Sequence, residues 1–181
     1  VGEVLRVVIF ALAIIVPVRY FLVQPFYVKG ASMEPTFHDA EYLIIDEITY
    51  RFRSPDRGEV VVLHNPTRPS EFFIKRVIGL PGEHLEVTNG HVRITNSAHP
   101  TGFTLDETGY LEPSVTTTGN QTADLGPGQF YVFGDNRSYS LDSRSFGPVD
   151  RKTIVGRVWI RAWPFDRLMQ FSPPHYTFVT L

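Results

Sequence analysis

The stretch Phe72-Phe73-Ile74-Lys75-Arg76-Val77-Ile78-Gly79-Leu80-Pro81-Gly82 decides how this chain is read. Its first seven residues are rich in aromatic and β-branched side chains, and Pro81-Gly82 is a turn signal, so a strand ends there. Strand alternation puts Phe73, Lys75 and Val77 on one face and Ile74, Arg76 and Ile78 on the other. Lys75 then sits among apolar neighbours, where an ammonium is costly. Burial lowers a lysine pKa by up to about 3–5 units, and a neutral amine is a base near neutral pH. The competing reading is a strand-edge lysine whose stem covers core while its head reaches water. The other two lysines lack this setting. Lys152 lies in the polar run Asp150-Arg151-Lys152-Thr153, and Lys29 lies close to Ser32 in sequence.

Outward from this strand the same signals repeat. Tyr42–Ile45, Glu59–Leu63, His84–Val87, Val92–Ile94, Phe130–Phe133 and Ile154–Ala162 are short, β-rich runs separated by turn signals. Asn89-Gly90 between two apolar runs is the strongest hairpin signal. Fourteen prolines and fourteen glycines suit many turns and few long helices. The expected fold is mainly β: an antiparallel barrel or a pair of packed sheets over about residues 25–181. From about Thr95 to Gln129 the chain is polar, reads as a solvated insertion, and contains the sequon Asn120-Gln121-Thr122.

Two further segments complete a pattern. Gly30-Ala31-Ser32-Met33-Glu34-Pro35-Thr36 offers a serine on a tight turn, with Gly30 permitting a sharp approach and Pro35 biasing Glu34 to an extended form. A serine hydroxyl needs a base, and a desolvated lysine is one. Gly134-Asp135-Asn136-Arg137-Ser138-Tyr139-Ser140-Leu141-Asp142-Ser143-Arg144 is a dense polar loop between strands. Taken singly, each segment reads as an ordinary turn, strand or solvated loop. No Gly-x-Ser-x-Gly elbow surrounds Ser32, because Glu34 takes the last place, and no Ser-x-x-Lys occurs. A Ser-His-Asp triad is a matter of geometry, with His64 its first suspect.

In this order, behind an apolar N-terminus, the three segments resemble the type I signal peptidases, membrane-anchored serine proteases with a Ser/Lys dyad. The resemblance covers about Pro25 to Gly147, plus the anchor by position. It implies that Ser32 is the nucleophile and Lys75 the general base. It implies that the Ser32 backbone N–H helps bind the oxyanion, that Ser140 orients the lysine amine, and that Asp142 and Arg144 brace the loop. Arg76, Asp135 and Arg137 are further members of that support. Where some relatives carry an oxyanion serine two residues before the nucleophile, this chain has Gly30. Phe26, Val28, Phe73 and Ile74 match pocket positions accepting small side chains, as in Ala-x-Ala signals. The segment at about 82–129 falls in the slot of a variable small subdomain. The implied partners are preprotein signal peptides and the lipid bilayer, with the peptidase domain outside the cytoplasm and the chain monomeric.

Val7–Val18 runs without a charge between Arg6 and Arg19, with Pro17 near its exit. It is short for a span of roughly 20 residues unless Arg19 snorkels. Residues 1–24 are read as a transmembrane anchor; a cleavable signal and a buried helix are the alternatives, and no small-residue cleavage site follows. Met33, Trp159, Trp163, Phe165, Met169 and Phe171 are candidates for a lipid-dipping surface. A start at Val1 reads as a fragment or processed form.

Composition narrows the rest. A net charge of −2 gives no reason to expect nucleic acid, and the absence of cysteine removes disulfides and thiol chemistry. The six histidines lack the paired spacing of a zinc hydrolase, so no metal and no cofactor are expected. The rival functions are another Ser/Lys processing peptidase (conjugation-type or a LexA-like self-cleaving regulator) and an inactive membrane-tethered domain that binds peptides.

Overall fold

Apolar strands with both faces covered form the centre of the molecule. The computed structural model describes residues 2–21, 23–174, 176 and 178–179, with the backbone alone at 14–21, 23–24, 178 and 179. Helix α1 (Gly2–Phe21) leads into strand β1 (Val23–Tyr27). Strand β2 (Tyr42–Asp46), the one-turn helix α2 (Thr49–Phe52), β3 (Val60–His64) and β4 (Phe72–Gly79) follow. Then come β5 (His84–Thr88), β6 (His91–Thr95), β7 (Phe103–Leu105), β8 (Gln121–Asp124) and β9 (Gln129–Phe133). Helix α3 (Ser143–Phe146) precedes β10 (Val149–Asp150), the long β11 (Ile154–Trp163), β12 (Met169–Gln170) and β13 (Phe178–Val179).

The larger sheet has the order β1-β2-β11-β3-β4-β9-β10, with β12 also on β11; the smaller has the order β13-β7-β6-β5-β8. All recorded pairings are antiparallel. The barrel form of the expectation is corrected. Among the described residues the larger sheet stays open, with β1 and β10 as its ends. The two-residue β10 presents too short an edge to close on β1.

Val60 to Leu63 reads as one apolar run because both faces of β3 are buried. Val60 and Val62 join Val28, Met33, Phe37, Leu43 and Ile45, while Val61 and Leu63 join Val77, Phe130 and Val132. A third cluster unites the sheets: Ile78, Tyr131 and Phe133 pack against Leu85, Val87, Val92, Ile94 and Phe103. Each full burial of such a side chain contributes about 1.5–3 kcal/mol, so this cluster fixes the small sheet to β4 and β9.

The Asn89-Gly90 hairpin forms as expected. Both residues have positive φ, 51° and 83°, as a two-residue turn with right-handed strand twist needs. Val87 then pairs Val92 and Leu85 pairs Ile94, all four fully buried. The expectation of a solvated insertion at 95–129 is corrected: this stretch supplies β7 and β8 and buries Phe103, Leu105, Leu111, Thr117 and Leu125. Its apolar residues are few but alternate with polar ones, which suffices to cover one face of a sheet.

Helix α1 spans most of the expected anchor, and the side chains of 14–21 lie outside the described ones. Among the described residues no helix is long and apolar enough to cross a membrane. Val4, Leu5, Val7, Ile9, Phe10 and Leu12 of α1 are exposed.

Candidate active site

Lys75 lies in the middle of β4, opposite Val61 of β3. It is 2% exposed, with its amine 5.2 Å from the centre of the Phe73 ring. Among the described residues it makes no ion pair. Its Nζ lies 2.8 Å from Ser32 Oγ, within hydrogen-bond distance. Burial lowers the Lys75 pKa; the more distant Asp142 and Asp135 pull it back up, Arg144 pushes it down, and it settles at about 8. The two residues singled out in sequence, 43 apart, are therefore in contact.

The turn that carries Ser32 is held from several sides. Gly30 takes φ of 90°, and its N–H donates to Asp39 Oδ1 at 2.6 Å. After Ser32, the Phe37 N–H donates to the Met33 carbonyl at 2.9 Å, and both side chains are buried. Met33 therefore belongs to the core, and Phe171 packs on Phe37 at 4.5 Å between ring centres. Both drop out of the expected lipid surface, because the turn needs an apolar floor. Trp159, Trp163, Phe165 and Met169 are exposed.

The polar loop after β9 clamps this turn. The Asn136 backbone N–H donates to the Ser32 carbonyl at 3.1 Å, and Asn136 Nδ2 donates to the Ala31 carbonyl at 3.0 Å. Gly134 is needed for close approach: a Cβ there would collide with Ser140 and with the Ser32 carbonyl. Asp142 accepts from the Gly134 N–H at 3.0 Å and from Arg144 Nε and Nη2 at 2.8 and 2.7 Å. Burial works to raise the Asp142 carboxyl, but the Arg144 and Gly134 bonds outweigh it and hold it low. Asp142 also caps α3 by accepting from the Arg144 backbone N–H.

Arg76 and Asp135 form a two-pronged pair, Nε to Oδ1 at 2.8 Å and Nη2 to Oδ2 at 2.6 Å. Arg76 Nη1 donates to the Gly58 carbonyl, and its guanidinium lies 4.0 Å from the centre of the Tyr110 ring. Arg137 Nε donates to the Gly134 carbonyl at 3.1 Å, and its two Nη groups grip Glu107 at 2.8 and 2.6 Å. The expected pair Asp142–Arg144 is thus seen, and Arg76, Asp135 and Arg137 lie around the same loop, Asp135 bound by Arg76 and Arg137 by Glu107. Ser140 departs from its expected contact with Lys75. The Asn136–Tyr139 turn packs it against Gly134, and its buried hydroxyl lies beside Asp142, whose carboxyl it helps to hold low. His64 is occupied elsewhere: its Nδ1 lies 2.7 Å from the Pro69 carbonyl and its ring 4.6 Å from that of Phe72.

Phe26, Val28, Phe73 and Ile74 line one cleft together with Gly30, Ser32, Met33 and Lys75. On one side β9 pairs with β4 only from Arg76 onward, so among the described residues Phe72–Lys75 keeps a free backbone edge beside the cleft. Among the described residues no three His, Asp or Glu side chains gather as a metal site needs.

The family described as signal peptidase, peptidase S26, matches residues 1–163. The chain belongs to this family. It is 38% identical over 165 residues to signal peptidase I of Leptolyngbya laminosa, covering 87% of this chain and 77% of that one. Against signal peptidase IB of Staphylococcus aureus (strain Mu50) it is 34% identical over 179 residues, 92% of each chain. The crystal structure of a signal peptidase I from Enterococcus faecalis superposes with a TM-score of 0.47 at 26% identity, covering 59% of this chain and 97% of that one. As a member of peptidase S26 the chain is a serine endopeptidase.

Four supporting residues of this peptidase escaped the sequence reading: Thr36, Asn136, Glu107 and Thr117. Thr36 Oγ1 donates to Asp135 Oδ2 at 2.5 Å, and Thr117 and Glu107 both bind Arg137. Asn136 stood in plain view inside the quoted loop. Glu107 and Thr117 left no local trace, because their partner is 30 and 20 residues away.

Proposed function

We propose that the chain removes N-terminal signal peptides from exported preproteins, with Ser32 as nucleophile and Lys75 as general base. The observation that carries this is the 2.8 Å contact between a hydroxyl and an amine whose burial brings it toward neutrality. Neutral Lys75 takes the Ser32 proton as Oγ attacks the scissile carbonyl. The ammonium so formed protonates the leaving amine, and water then cleaves the acyl-enzyme with Lys75 again as base. Ser140, which makes no direct bond to Lys75 in the resting site, is the residue we assign to orienting that ammonium from beside Asp142. The Ser32 backbone N–H is the first oxyanion donor, and Gly30 adds no side chain to it.

The substrate lies extended in the cleft, its backbone along the free edge of β4. The walls formed by Phe26, Val28, Phe73 and Ile74 favour small residues at the first and third places before the cut, an Ala-x-Ala pattern. We assign residues 1–24 to a membrane anchor and 25–181 to the peptidase domain, with 82–129 an accessory part. The uncharged run Val7–Val18 and the exposed apolar side chains of α1 favour lipid as its surroundings. Exposed Trp159, Trp163, Phe165 and Met169 suit the interface, and the peptidase domain sits outside the cytoplasm as a monomer.

Incubation with a model preprotein, followed by mass spectrometry of the products, tests the reading. One new N-terminus directly after Ala-x-Ala is expected. The rate should fall about tenfold per pH unit on the acid side of about 8, as Lys75 takes up its proton. Cuts scattered over the preprotein, or a rate flat down to pH 4, would overturn it.

A further inference from the structure

Behind the nucleophile turn lies a second buried ion cluster that none of the steps above uses. Glu41 precedes β2 and is 2% exposed. Arg161 Nε, from β11, lies 3.0 Å from Glu41 Oε2, and Arg167 Nη1 lies 2.9 Å from Oε1. Arg161 is itself buried, its guanidinium over the rings of Phe37 and Phe171 at 5.4 and 5.2 Å. From there its Nη2–H donates to the Thr36 carbonyl at 2.5 Å.

Thr36 is the meeting point of two clusters. Its carbonyl is held by Arg161 from one side, and its Oγ1–H donates to Asp135, the partner of Arg76, from the other. It sits four residues after Ser32 in the turn closed between Met33 and Phe37. Two observations argue against mere space-filling. A buried ion cluster is often no more stable than apolar packing of the same volume, so it is weak as a stability device. Both Glu41 oxygens are engaged by guanidinium groups, Oε2 by Arg161 and Oε1 by Arg167. The carboxylate therefore holds Arg161 at Nε and leaves Nη2 aimed at Thr36.

We propose that Arg161 is a positioning residue: held by Glu41, with Arg167 balancing the charge, it sets the nucleophile turn through Thr36 and so keeps Ser32 in line with Lys75. This rests on Ser32 being the nucleophile. Arg161 touches neither Ser32 nor Lys75 in any recorded contact, so its effect belongs to geometry rather than to proton affinity.

The test uses the full chain in detergent micelles and a quenched fluorescent peptide with Ala-x-Ala before the cut. Arg161→Met, Arg161→Lys and the double variant Arg161→Met/Glu41→Gln are compared with the parent. The double variant leaves no unpaired buried carboxylate and guards against a simple folding failure. Displacements near 1 Å cost on the order of 10²-fold in rate, so kcat is expected to fall by roughly tenfold to a hundredfold. KM should stay within about twofold, and the midpoint of the acid limb should not move. Arg161→Lys restores charge beside Glu41 without the planar fork, so it should recover melting temperature but not kcat. A kcat within about threefold of the parent in a folded Arg161 variant, a loss confined to KM, or a shifted acid limb would overturn the proposal. Ser32→Ala, run alongside, separates the two readings. Near-normal cleavage there overturns the nucleophile and this role with it. An inactive Ser32→Ala beside unaffected Arg161 variants overturns the positioning role alone.

Discussion

Two kinds of buried cation, arginines and a lysine, surround one site in this molecule and meet opposite fates. Arg76 and Arg137 are each gripped by a carboxylate through two bonds, to Asp135 and Glu107. Burial alone would lower both guanidinium pKa values, yet the carboxylates outweigh it and both are raised. Lys75 is buried to the same degree and has no carboxylate within ion-pair reach among the described residues; its pKa falls to about 8. Adjacent positions on one strand thus give a permanently charged support and a titratable amine. Burial pushes both down; the guanidinium's higher starting affinity and its carboxylate partner keep the arginine charged, while the unpaired ammonium yields. The arginines hold the loop, and the unpaired lysine is left free to exchange a proton.

The strongest way to break this comparison is to remove the reactive pair. Ser32→Ala and Lys75→Ala should each lower preprotein cleavage by at least about 10³-fold, as loss of a nucleophile or its base does elsewhere. The circular dichroism of the β-rich domain should be unchanged, since the ladders around β4 do not depend on either side chain. Near-normal turnover by Lys75→Ala would show that another group takes the Ser32 proton.

Arg76→Met should act in the other direction, on stability first. Among the described residues it leaves Asp135 buried with only Thr36 as a side-chain partner, and an uncompensated buried charge costs about 3–5 kcal/mol. Urea denaturation measures it. A loss below about 1 kcal/mol would mean that Asp135 finds water or another cation, and that the pair is not the fixed support described. The double variant Arg76→Met/Asp135→Leu should recover much of the loss, because it removes both charges together.

How far the sequence foretold this arrangement follows from the range of each interaction. Lys75 was legible because the rule it breaks, no lone ammonium in an apolar strand, is local. The hairpin at Asn89-Gly90 was legible for the same reason: two adjacent residues specify it. Strand β1 was not, since Gln24 and Pro25 interrupt any alternation, and its pairing with β2 is what makes it a strand. Strand β7 has three residues and β8 has four, too few to show a period, so the polar run around them read as solvated. Pairing makes them strands: β7 lies along β6 and buries Phe103 and Leu105, while β8 lies half-exposed along β5. The pairing of Arg137 with Glu107 was invisible because neither residue carries a mark of the other. Met33 was misplaced in the lipid-facing set because nothing local marks it as the core anchor that the tight turn after Ser32 needs.

The subtlest consequence concerns the lysine as a stability element. Its pKa is depressed in the folded chain from an ordinary value of 10.5 to about 8. Between those values the unfolded chain holds a proton that the folded chain has released, so stability rises with pH across that window. Below about pH 8 both states are protonated and the folded chain bears the whole cost of a buried ammonium, on the order of 3 kcal/mol at 1.36 kcal/mol per pKa unit. Lys75→Met keeps nearly the same volume and removes that cost. At pH 7 it should therefore be more stable than the parent by up to about 3 kcal/mol while being inactive, and the gain should fade between pH 8 and 10.5. Arg76→Met, next to it, should show a loss of opposite sign with no such fade, because the guanidinium does not titrate there. Denaturation of both variants at pH 7 and pH 10.5 makes the comparison. If Lys75→Met is destabilised at pH 7, or its gain persists unchanged at pH 10.5, the ammonium is stabilised by a partner and the contrast with the arginines fails.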